Sequence, residues 1–96
     1  MINIKLRPLT GAFAENKDVA QMIRIEMIAP ALARGEILAL DFSGIEGATQ
    51  SFIHALISEL FREHGGMVLD RLQFKNCNQF IRQVITIVTE YMQEAE

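Results

Sequence analysis

Among the side chains between positions 41 and 58 that could pass a proton or attack an electrophile are Asp41, Ser43, Thr49, Ser51, His54 and Ser58. Asp41 closes an apolar run, Ser43-Gly44 is a turn pair, and Thr49-Gln50-Ser51 opens the amphipathic segment that carries His54. Open α/β sheets bind ligands beyond the carboxyl ends of their strands. A carboxylate there, beside hydroxyls and an imidazole, describes a small-ligand or enzymatic site built from Asp41, Thr49, Ser51 and His54. A second reading needs no reaction. Asp41 accepts from loop amides and holds the turn, while a hydroxyl caps the helix.

Other chemistries are poorly served. His54 and His64 on one helix stand about 15 Å apart, too far to share an ion, and no HExxH or paired-cysteine spacing is present. Cys77 precedes the last helical stripe, where free amides favour a thiolate, but a small buried residue at such a junction looks the same. "GIEGATQS" has two glycines and lacks the Lys of a phosphate-binding loop. No metal and no cofactor is implied.

These residues need a frame, and the chain is long enough for one domain, residues 1–96. Half of it is apolar and 22% charged, which argues for a packed core and against disorder. A net charge of −3, without a basic cluster, argues against nucleic-acid binding. No apolar run reaches the ~20 residues of a membrane span. No signal peptide is legible, and the single cysteine cannot pair within the chain, so a reducing cytoplasmic setting is expected.

Ile2, Ile4 and Leu6 alternate with polar residues, a period-2 strand ending at Pro8. Thr10 to Lys17 reads as loop. Asp18 is the expected N-cap of a helix carrying Val19, Met22, Ile23 and Met27, with an end or kink near Ala29 before Pro30 and a stop at Gly35. Glu36 to Phe42 is nearly all apolar, the pattern of a central strand covered on both faces. Ile53, Leu56, Ile57, Leu60 and Phe61 make one helical stripe, closed by Gly65-Gly66. A third strand is expected near 70–75. Asn76 or Asn78 caps a last helix with the stripe Phe80/Ile81, Val84, Ile85, Val88, Tyr91 and Met92, and the tail from Gln93 is expected to fray. The order βαβαβα implies a mostly parallel sheet with helices packed on it, a small two-layer α/β sandwich.

"EILALDFSGIEGATQSFIHAL" resembles the central segment of STAS domains, the sulfate-transporter and anti-sigma-factor-antagonist family. It is closer to a bacterial group called STAS-like domains of unknown function. The shared features are Asp41-Phe42-Ser43-Gly44 at the strand end, Ser51-Phe52 at the helix start, and Phe74-Lys75-Asn76 before the last helix. The resemblance covers roughly residues 20–92. It implies a non-enzymatic regulatory interaction module that docks through the 43–51 loop and the following helix. The implied partner is a histidine-kinase-like ATPase that phosphorylates a Ser or Thr at the helix start. Gln50 stands where that acceptor belongs, flanked by Thr49 and Ser51. His54 and Ser58 are further contributors to the expected face. Pairing of the helical surface with a copy of itself is a third expectation, since an apolar patch or bare strand edge invites partners.

Overall fold

The computed structural model of the chain describes residues 1–94. In chain order the elements are β1 (Ile2–Lys5), α1 (Arg7–Thr10), β2 (Phe13–Ala14), α2 (Lys17–Ile23), a π-helical turn over Arg24–Ile28, α3 (Ala29–Ala33), β3 (Leu38–Asp41), β4 (Gly47–Ala48), α4 (Gln50–His64), α5 (Met67–Arg71), β5 (Leu72–Lys75) and α6 (Gln79–Glu94). The expected βαβαβα order is present, with two short strands and two short helices added to it.

The main sheet has the order β1-β3-β5, all parallel, with Ile4, Leu40 and Phe74 in one row and Lys5, Asp41 and Lys75 in the next. Both crossovers step the same way along the sheet, so right-handed connections lay their helices on one face. Ile4, Leu38, Leu40 and Leu72 point into that layer and are buried, whereas Asn3, Lys5, Gln73 and Lys75 on the other face are exposed. The expectation that β3 is covered by helices on both faces is corrected here. Ala39 is fully buried on the open face because it is small and sits in register between Asn3 and Gln73.

The first long helix starts earlier than expected. Asn16, and not Asp18, is its N-cap, with Oδ1 accepting from the Asp18 and Val19 amides at 2.9 and 3.3 Å. It passes Pro30 without ending. A proline lacks the N–H for the ladder and crowds the preceding turn. Here the chain widens into the π-helical turn, where the Ala29 N–H donates to the Arg24 carbonyl, and the helix then resumes with Pro30 in its first turn. The extra residue slides the apolar stripe by one position, so Ile28 is buried and Met27 lies outside. Arg24, at the start of that turn, donates to the Ala55 carbonyl of α4 at 2.8 Å. Gly35, at φ 79°, closes α3, with its N–H on Leu32 O and the Glu36 N–H on Ala31 O, the paired bonds of a Schellman cap.

The segment expected as loop contains β2, which pairs in parallel with β4 as a separate two-stranded sheet. The third main strand begins at Leu72, because Met67–Arg71 makes another helical turn first. The α4 stripe is buried as its spacing predicts. The α6 stripe is not buried throughout. Ile81, Val84, Ile85, Val88 and Met92 are in the core, while Phe80 and Tyr91 are 56% and 62% exposed. The last two residues of the expected fraying tail lie outside the described residues. Among the described residues no helix is long and apolar enough to cross a membrane.

Candidate functional site

The β3–α4 corner is where the chemistry-bearing residues were expected to gather. Asp41 leaves the sheet on its open face, and one of its oxygens, Oδ1, accepts three hydrogen bonds. The donors are the Ser43 amide at 2.9 Å, the Ser43 hydroxyl at 2.7 Å and Asn76 Nδ2 at 2.9 Å. The Asn76 bond and then the two from Ser43 favour the carboxylate and lower its pKa from 3.8 to about 2. A base this weak, already holding three donors, is a turn-fixing group.

Asn76 takes φ 59°, the left-handed region that asparagine tolerates better than other L-residues with a Cβ. That conformation ends β5 and turns its amide back toward β3. On the helix-covered side, Phe42, the residue after Asp41, and Phe74, two residues before Asn76, meet with ring centroids 6.4 Å apart at 42°. The segments Asp41-Phe42-Ser43-Gly44 and Phe74-Lys75-Asn76 are therefore two halves of one joint. The family model described as a STAS-like domain of unknown function matches residues 19–82, two-thirds of the chain and both halves of this joint. The chain belongs to this STAS-like family. Neither the comparison with curated proteins nor that with solved structures gave a match.

The rest of the STAS-like corner is held as tightly. Gly44, at φ 79°, lies against Arg7, whose Nε donates to the Gly44 carbonyl at 3.0 Å. Asn78 donates to the Glu46 carbonyl at 2.9 Å and, through Oδ1, caps α6 by accepting from the Ile81 amide at 2.8 Å. Ala12 O accepts from the Glu46 amide, and Ala14 O from the Thr49 amide. Ile45 and Ala48 are buried beneath the loop. Thr49 is the N-cap of α4, its hydroxyl accepting from the Phe52 amide at 3.0 Å.

The expected site residues fall into separate groups. Asp41, Ser43, Gly44 and Thr49 bind the corner to itself. Gln50, Ser51 and His54 are exposed on the first turns of α4. Ser58 is buried and shares with His54 the lining of a further cleft, between α4 and the π-helical turn, together with Arg24 and Gln21. Asp41 is not among the described residues that line either of two clefts bordered by His54. Cys77 is half-buried, and burial pushes its thiol pKa up, against a reactive thiolate.

Sequence reasoning missed the surface beside Gln50. A cleft of about 830 Å³ is lined by Phe13, Ala14, Glu15, Glu46, Gly47, Ala48, Phe80, Val84 and Ile87. A second cleft, of about 440 Å³, is lined by Lys17, Ser51, His54, Ile87, Val88 and Tyr91. Gln50 and Ile87 line both, so the two form one furrow between α6 and the start of α4. Phe13, Phe80, Ile87 and Tyr91 along it are each more than half exposed. A legible signal existed. The apolar residues of α6 span a wider arc than one core face needs, with Phe80, Ile87 and Tyr91 grouped on one flank at 100° per residue.

Proposed function

We propose that this STAS-like chain is a non-enzymatic regulatory protein–protein interaction module. It docks through the 43–51 loop, the first turns of α4 and the furrow beside them. The observation that carries this reading is the furrow itself, an exposed apolar surface bordered by Gln50, Ser51 and His54. Exposed apolar patches of this kind mark interaction sites, and a loop already tied to its neighbours binds without an ordering penalty.

The resemblance to anti-sigma-factor antagonists supports a histidine-kinase-like ATPase as the partner. A phosphoryl group at the helix start would favour the free amides there and disrupt an apolar contact. Gln50 cannot accept one. The Thr49 hydroxyl is engaged as the cap, which leaves Ser51, exposed in the first turn of α4, as the acceptor in this reading. Incubation with a histidine-kinase-like ATPase, with and without ATP, tests it by capture and intact mass. Capture by the wild type, lost in Ser51→Asp and His54→Glu, is expected. Equal capture by all three removes this face.

A further inference from the structure

We propose that the furrow is closed by a second copy of this chain, with α6 packed antiparallel on α6 of the other copy. The inference rests on the reading of this face as a protein-docking surface, and it names one occupant. Two properties of the furrow argue for a copy of itself.

The first is its spacing. Phe80, Val84, Ile87 and Tyr91 line it in steps of four, three and four residues, a pattern that reads the same in either direction. A two-fold axis across the middle of the row therefore sets Phe80 against the second copy's Tyr91 and Val84 against its Ile87. Self-complementarity of this kind is what an isologous interface requires. The row is about 16 Å long, the length of three helical turns.

The second is its charge. Glu15 and Glu46 border the end that holds Phe80, and Lys17 borders the end that holds Tyr91. A parallel arrangement would bring like ends together. The antiparallel one places Lys17 of each copy beside the carboxylates of the other, at the rim, where charge selects partner and register. Because Gln50, Ser51 and His54 lie along the same furrow, self-pairing also covers the docking face. The dimer is the closed form, and the monomer is the form open to a partner.

A charge-swap pair tests this. One variant carries Lys17→Glu and the other carries Glu15→Lys with Glu46→Lys. In the proposed dimer, each variant alone meets only like charges across the axis, while a mixed dimer meets opposite charges at both ends. Sedimentation velocity at micromolar concentration should show a wild-type dimer. Self-association should be at least about tenfold weaker for either variant alone, and the dimer should return on mixing them. Return on mixing also shows that both variants are folded. Wild type that sediments as a monomer, or single variants that dimerise as well as their mixture, would overturn the proposal. The outcome is separate from that of the docking reading, since binding of the ATPase is read at Ser51 and His54. A monomer that still binds the ATPase overturns the second copy alone.

Discussion

Asn76 reaches from the end of β5 to Asp41 at the end of β3, with Nδ2 2.9 Å from Oδ1. The two residues are far apart in sequence; Asp41 is the last residue of β3 and Asn76 is the first residue beyond β5. Their bond, with the Phe42–Phe74 contact beneath it, locks the exit angles of two neighbouring strands. The loop that carries the exposed face is therefore presented from a fixed base.

The first prediction concerns pH. The folded pKa of Asp41 is depressed from 3.8 to about 2, so the native state favours its ionised form. Its contribution to stability is complete above the unfolded value of 3.8 and is lost as pH falls toward about 2. Urea midpoints measured across that window should fall for the wild type. Asp41→Asn has no proton to take up at this position, and its midpoint should fall less steeply.

Asn76 carries two roles that substitution separates. Asn76→Gly keeps the left-handed backbone and loses the hydrogen bond to Asp41. Asn76→Ala loses the bond and also forces a Cβ residue to φ 59°, a strain of roughly 1 kcal/mol. The alanine variant should be the less stable of the two by about that amount in chemical denaturation. In both, the acid dependence should weaken as the Asp41 pKa rises toward its ordinary value.

Thr49 is a cap in this account. Thr49→Ala should destabilise the fold by about 1 kcal/mol, and Thr49→Ser, which keeps the accepting oxygen, by much less. Thermal melts of the two variants provide the check. If phosphorylation occurs, Thr49→Ala should leave its stoichiometry unchanged and Ser51→Ala should abolish it, as intact mass would show.

Much of the fold was legible because periodicity reports burial directly. The edge strands alternate, the α4 stripe is regular, and Gly35 and Gly65 stop their helices where the patterns run out. The misses have local causes. Asn16 and Asp18 are equally good caps by type, and only the path of the chain selects between them. Pro30 signals an end or kink near Ala29, and the helix is interrupted there; that the interruption is a π-helical turn, which shifts the stripe onto Ile28, is not visible in the spacing. A strand as short as Phe13–Ala14 is too brief to show a period. At the site, Asp41, Thr49 and the Ser43-Gly44 turn were legible as corner-forming residues. The link from Asn76 to Asp41 and the furrow around Ile87 depend on contacts between distant segments, which spacing does not encode.

The corner is proposed to present a surface for a protein partner. Amide chemical-shift mapping of the labelled chain, titrated with a purified histidine-kinase-like ATPase, tests this. Perturbations are expected over Ser43–His54 and along α6 at Phe80, Ile87 and Tyr91, with Asn3 and Gln73 on the open sheet face unchanged. Perturbations confined to that open face, or none at saturating ATPase, would contradict it.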